Sequence, residues 1–264
     1  LSERLLPDLV APLAGGPGLC PRCVSWIRVD ALHDETGQDP AGNRDAGVGG
    51  EETAEVLCEN CVEVLQALRR EPLSLSVISL YCKPSPLRDA LTRYKGRDTA
   101  DPYDPLSEET VRAMLGRYLL EHGDRLDEVS GGVDGIVVVP STTRDSLHHP
   151  LEALVDSLAL DVPRWSILRR GPGEMSFRKP SLDEYRLISD QEPSRILLVD
   201  DVYTTGSRLN SASAALTHGG HQVAAALVLA RRINPDHTEQ AKQMWLQATS
   251  QPFTWQMGPR TVAA

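Results

Sequence analysis

The chain lacks an apolar run long enough to cross a bilayer. About 18 consecutive apolar residues would be needed, and the longest run, which ends at Ala230, falls far short. A membrane-spanning helix is thereby excluded, and no membrane partner is expected. Residues 1 to 15 also lack the apolar core and charge order of a secretory signal, because Glu3, Arg4 and Asp8 interrupt the leucines. The expected location is the cytoplasm. Positive charge is short as well: 27 Lys and Arg face 37 Asp and Glu, a formal charge of −10. A chain of that balance repels a phosphate backbone, so a protein whose main task is to coat nucleic acid is excluded. Phosphate must be sought in local basic patches. The 264 residues, 41% of them hydrophobic, suffice for one large core or one domain with a small appendage.

Cysteine is scarce, yet four of the five cysteines form two pairs, Cys20-Pro-Arg-Cys23 and Cys58-Glu-Asn-Cys61, with Cys82 standing alone. Two Cys-x-x-Cys knuckles bring four soft thiolates to the spacing a tetrahedral zinc ion needs. Two disulfides are disfavoured in the expected compartment, and a redox centre usually needs a single pair. The reading is a structural Zn²⁺ whose coordination shell is filled by Cys20, Cys23, Cys58 and Cys61, leaving no position open for chemistry. Residues 34–52, rich in Gly, Asp and Glu, have almost nothing to bury and read as a disordered insertion between the knuckles. A short helix follows the second knuckle and stops before Pro72. Residues 1–72 are thus expected to form a zinc-ribbon module.

From residue 73 to 264 the pattern becomes α/β. Expected strands are Leu75–Tyr81, Asp134–Pro140, a short one around Trp165–Leu168, Arg195–Asp200 and Val223–Ala230. Expected helices are Ser85–Tyr94, Ser107–Glu121 with Ser107 as N-cap, one carrying Leu147, Leu151, Leu154, Val155 and Leu158, and Ser207–His218. A polar loop is expected over Arg169–Glu192, and an edge strand around Phe253 and Trp255. Continuous β-branched runs imply strands covered on both faces, as in a parallel sheet. The fold class is therefore α/β, a doubly wound and mainly parallel sheet, with ligands expected at the carboxyl ends of the strands.

The most informative stretch runs from Ile196 to Arg208, ILLVDDVYTTGSR. Two adjacent carboxylates, Asp200 and Asp201, close a buried strand, and a loop of hydroxyls and glycine then enters a helix. Unpaired N–H groups at that helix start form an anion site, and Gly206 allows close backbone approach. Hydroxyls of Thr204, Thr205 and Ser207 and the Arg208 guanidinium add donors. The carboxylates only accept, so they suit a sugar diol. A structural strand-turn-helix and a Mg²⁺-binding aspartate pair of another α/β family remain alternatives.

This stretch closely resembles the phosphoribosyl-pyrophosphate (PRPP) binding motif of type I phosphoribosyltransferases. With the four-cysteine module and the segment Leu87–Arg97, the chain resembles the ComF/GntX-like phosphoribosyltransferase family, whose members join a zinc ribbon to a phosphoribosyltransferase domain. The resemblance implies that Asp200 and Asp201 hold the ribose hydroxyls, and that Tyr203, Thr204, Thr205, Gly206, Ser207 and Arg208 form the 5′-phosphate loop. PRPP would be used with Mg²⁺. Ser141, Thr142, Thr143 and Arg144 are the candidate pyrophosphate loop, and Arg178 and Lys179 a candidate lid. His148 and His149 are expected as a surface pair opening a helix. The alternative is a non-catalytic adaptor in DNA uptake (competence) or nucleic-acid processing, docking a protein partner through the zinc ribbon. The basic cluster Lys83, Arg88, Arg93, Lys95 and Arg97 is read as facing the site entrance or, less favoured beside the acidic run that follows, as a surface for single-stranded nucleic acid.

Overall fold

The computed structural model describes residues 1–16, 18–27, 56–96, 99–140, 149–173 and 179–256. After a 3₁₀ helix at Ser2–Asp8, the elements in chain order are α1 (Glu59–Leu68), β1 (Leu75–Tyr81), α2 (Pro86–Arg93), α3 (Pro105–Ser130), β2 (Gly135–Val138), α4 (Pro150–Asp156), β3 (Leu168–Arg170), β4 (Tyr185–Leu187), β5 (Arg195–Tyr203), α5 (Ser207–His218), β6 (Gln222–Arg232) and α6 (Glu239–Thr249). The four apolar runs β1, β2, β5 and β6 form one all-parallel sheet in the order β1-β6-β5-β2. The fold is α/β.

Strand alternation sorts the core into two layers. Ile78, Ile136, Val138, Leu197, Val199, Leu227 and Leu229 turn to one face, against Leu87 and Leu91 of α2, Met114 and Leu115 of α3, and Leu151 and Leu154 of α4. Val77, Val137, Ile196, Leu198, Ala226 and Val228 turn to the other, against Leu209, Ala212 and Leu216 of α5, Met244 of α6 and the four paired cysteines. Both sheet faces are therefore covered, as the β-branched runs require. The outer edge of β1 is closed by Val10, whose carbonyl accepts from Leu80 N at 2.7 Å.

The topology opens a crevice between β2 and β5. β2 leads toward α4 on the first face, whereas its neighbour β5 leads into α5 on the second. Chains leaving two adjacent strands in opposite directions part at the carboxyl ends, which is where open parallel sheets receive ligands.

Several elements differ from the sequence reading. α3 begins at Pro105 rather than Ser107. Asp104 is its N-cap and accepts from Leu106 N and Ser107 N, and the helix runs on to Ser130 before Gly131 caps it in the left-handed region. No strand spans Trp165–Leu168. Arg164 makes only an isolated parallel bridge to Ile136, and β3 starts where the expected strand ends. Within the expected loop Arg169–Glu192, β4 pairs with β3 as an antiparallel hairpin. The tail holds α6, and Phe253 and Trp255 form no strand. They are buried as a T-shaped ring pair 5.1 Å apart, with the Trp255 carbonyl 2.6 Å from Nε2 of His122. The expected insertion 34–52, with its surroundings over residues 28–55, lies outside the described residues.

Candidate functional site

Asp200 and Asp201 lie toward the carboxyl end of β5, which runs past the expected end at Asp200 to Tyr203, and are 2% and 0% exposed. Consecutive strand residues point to opposite faces, so the pair is divided between the two layers. Asp201 faces the first layer, where its Oδ2 accepts from the Tyr94 hydroxyl at 2.6 Å and forms an ion pair with Lys95 Nζ. Asp200 faces α5, where its Oδ1 lies 3.7 Å from Nη2 of Arg208 and accepts from Asp201 N at 2.9 Å.

The unequal partners separate the two acids. Burial pushes the Asp200 carboxyl up to about 6, with the negative Asp201 adding to the rise and Arg208 and Lys95 only partly opposing it. Burial acts on Asp201 too, but Lys95, His149 and Arg208 outweigh it and hold this carboxyl well below the usual range. One member is thus held as an anion, and the other has its carboxyl raised. Asp201 Oδ1 is a buried acceptor without a hydrogen-bond partner.

Beside the pair, Thr204–Gly206 turns the chain into α5. Gly206 is the helix N-cap at φ +85°, and a Cβ there would stand 2.6 Å from Cζ of Tyr203, so both conformation and space demand glycine. As N-cap it offers no side chain to the first-turn N–H groups, and a helix start of this kind suits an anion. Asn210 holds the turn, donating to the Gly206 carbonyl at 2.9 Å and accepting from Leu73 N at 3.0 Å. Arg208 spans three elements, with Nε 3.4 Å from the Tyr185 hydroxyl of β4 and Nη2 3.3 Å from the Pro140 carbonyl after β2.

The structure gathers Asp200, Asp201, Thr204, Thr205, Gly206, Ser207 and Arg208 at one strand end. Tyr203 follows the acids but is buried beneath the loop, with the Arg231 guanidinium 5.4 Å from its ring centroid. Ser141, Thr142, Thr143, Arg144 and Arg178 lie outside the described residues, and Lys179 is exposed. Two contributors were not assigned to the acids from sequence. Tyr94 and Lys95 belong to the basic segment noted there, but no local pattern tells which anion they meet. His149, expected on the surface, is 2% exposed. It caps α4 by accepting from Leu151 N and contributes to the field on Asp201. His-Pro at a helix start was its only signal.

The four paired cysteines are buried, with all sulfurs within 4.8 Å of one another. Cys20 Sγ lies 3.7 Å from Cys61 Sγ, and Cys23 Sγ 3.5 Å from Cys58 Sγ. Disulfides would need about 2.05 Å, whereas a tetrahedral ion with Zn–S near 2.3 Å separates its sulfurs by about 3.8 Å. The donor set therefore fits a single tetrahedral metal ion such as zinc. For Mg²⁺ the fit is poorer in this arrangement, because Oδ2 of Asp201 is already engaged by Tyr94 and Lys95.

No protein-family model matches the chain, and no curated protein matches it. Among solved structures it is similar to the adenine phosphoribosyl transferase of Trypanosoma brucei, a structure in complex with AMP, pyrophosphate and ribose-5-phosphate. Identity is 14% and the TM-score 0.31, over 57% of this chain and 81% of that one. It is also similar to the adenine phosphoribosyltransferase of Leishmania tarentolae, at 17% identity and TM-score 0.29, over 52% and 76% of the two chains.

Proposed function

We propose that the chain binds PRPP or a related phosphoribosyl ligand in the crevice at the end of β5 and transfers the phosphoribosyl group to an acceptor, releasing pyrophosphate. The observation that carries this reading is the pairing of two buried carboxylates with a glycine-capped, anion-accepting helix start at the parting of β2 and β5. The carboxylates accept from the two ribose hydroxyls. The α5 N-terminus, with Thr204, Thr205 and Ser207, takes the 5′-phosphate. Lys95 and Arg208 balance the two acids, so a neutral diol enters a site with no excess negative charge.

In the reaction the bond from C1 to the pyrophosphate oxygen breaks with its electron pair, and a nucleophile of the acceptor bonds to C1 and gives up its proton. The protein's part is to position the donor, stabilise charge and exclude water. The chain's own cations beside the carboxylates are Lys95 and Arg208, and Mg²⁺ brought by the ligand would add charge neutralisation. Ser141–Arg144 would form the pyrophosphate loop, and Arg178 with Lys179 the lid. Cys20, Cys23, Cys58 and Cys61 would hold a structural Zn²⁺ that joins the two knuckles.

Calorimetry with PRPP and Mg²⁺ tests the binding. Heat of binding is expected from the native protein, with a loss of affinity of at least about tenfold when Asp200→Asn and Asp201→Asn are combined, since two charged acceptors are removed. No heat from the native protein, or an unchanged double variant, sinks the reading.

A further inference from the structure

Arg231 lies on β6 and is 2% exposed, among the largest fully buried side chains of the protein. Its Nε and Nη1 atoms have no hydrogen-bond partner. Among the described residues no carboxylate lies within ion-pair distance of it. A guanidinium cannot shed its proton when buried, and a buried cation without a counter-charge is strongly unfavourable. The Tyr203 ring, 5.4 Å from the guanidinium carbon, offers a cation–π contact. That contact alone does not neutralise the charge.

The counter-charge that the same buried layer offers is the cysteine cluster. Tyr203 and all four paired cysteines share the same buried layer. Burial pulls the Arg231 pKa down, yet the fields of Cys23, Tyr203, Cys58 and Cys61 carry it above its ordinary value. Four thiolates around a divalent ion leave a net charge of about −2. N–H donors aimed at ligand atoms are the usual means by which surrounding residues hold a metal's ligands in place.

We infer that Arg231 is the counter-cation of the four-cysteine metal centre, a positioning residue that acts on the thiolates through the field of its buried charge. The register places Arg231 beside Tyr203 on the adjacent strand, and Tyr203 in turn lies against Gly206. The same guanidinium therefore backs the loop that follows the carboxylates. The inference is independent of the PRPP reading, because nothing in it requires a ligand in the crevice.

Zinc affinity of the full chain, measured by competition with a chromogenic chelator, tests it. Arg231→Met keeps most of the volume and removes the charge, and should weaken zinc binding by about ten- to a hundredfold, the range seen when residues supporting metal ligands are lost. Arg231→Lys keeps the charge and should recover most of the affinity. In the cobalt-substituted protein the thiolate-to-metal charge-transfer band should move in the Met variant and hold in the Lys variant. Wild-type affinity with an unmoved band in Arg231→Met would overturn the inference. So would equal losses in the Met and Lys variants, which indicate packing alone. If Arg231→Met does not fold, the native protein decides by NMR. The Arg231 Nε–H resonance should shift when zinc is replaced by cadmium, and an unshifted resonance overturns the assignment.

Discussion

Tyr94 donates its phenolic O–H to Oδ2 of Asp201 across 2.6 Å, on the same oxygen that Lys95 meets with its ammonium. The basic segment after α2 is thus fastened into the carboxylate pair of β5, more than a hundred residues away in sequence. Removing Lys95 strands a buried anion whose charge its surroundings were built to keep. Lys95→Met should lower stability to urea by about 3 kcal/mol, the scale for breaking a buried ion pair by deleting one partner. Adding Asp201→Asn should return a large part of that loss, because the uncompensated charge goes with it. Strict additivity of the two substitutions in urea unfolding would mean that the pair does not couple.

The division of the acids predicts a pH dependence. Asp200 has a folded pKa of about 6, above its ordinary value, so the folded protein binds that proton more tightly than the unfolded chain. By linkage its contribution to stability is fully present below about pH 4 and is lost as pH rises through about 6. Asp201, held low, contributes in the opposite sense: its stabilisation is present above about pH 4 and is lost on acidification below that. A ligand whose hydroxyls need Asp200 as a charged acceptor should bind with constant affinity above about pH 7 and about tenfold more weakly per unit below pH 6. Calorimetric titration of PRPP from pH 5 to 8 checks this, with Asp200→Asn expected to flatten the profile. A flat profile in the native protein would remove Asp200 from the binding role.

The four strands of the parallel sheet and the DDVYTTGSR loop are legible in the sequence because their signals are local. A buried parallel strand shows as a β-branched run, and α5 shows a glycine N-cap and a Gly-Gly stop, so its span Ser207–His218 was read without error. α3 was read short because Gly116, Gly123 and the charged residues of its second half blur the periodicity, while its N-cap, Asp104, lies ahead of Pro105. The β3–β4 hairpin has three-residue strands, below the length at which alternation is distinguishable from chance. What sequence could not supply was pairing across layers. That Lys95 meets Asp201 while Arg208 meets Asp200 follows from strand parity and from which face each helix covers, and both emerge only with the fold.

Gly206 carries a conformational prediction. At φ +85° a side chain is disfavoured by about 1–2 kcal/mol on backbone grounds, and a Cβ would press on the Tyr203 ring. Gly206→Ala should therefore lower stability by more than that backbone figure and displace the start of α5. Thermal unfolding of the variant should show the drop, and PRPP calorimetry should show lost affinity at a temperature where the fold persists. Gly220 serves as a control. It too has positive φ but meets nothing nearer than 3.5 Å, so Gly220→Ala should show the smaller, purely conformational loss and bind ligand normally.

Arg208 separates charge from geometry at the titrating acid. Its guanidinium lies 3.7 Å from Asp200 and also reaches the Tyr185 hydroxyl and the Pro140 carbonyl, tying α5 to the hairpin and to the end of β2. Lysine in its place keeps a cation near Asp200 but lacks the planar fork needed to span three partners. Arg208→Lys should therefore leave the pH at which affinity falls close to that of the native protein. Its stability should drop by about 1 kcal/mol for the lost hydrogen bonds. Arg208→Met also removes the charge that opposes the rise of the Asp200 pKa, so the fall in affinity should begin at a higher pH than in the native protein. Calorimetric pH profiles of the two variants, measured side by side, decide the matter. If the Met profile coincides with the Lys profile, the guanidinium acts on Asp200 through packing and not through its field.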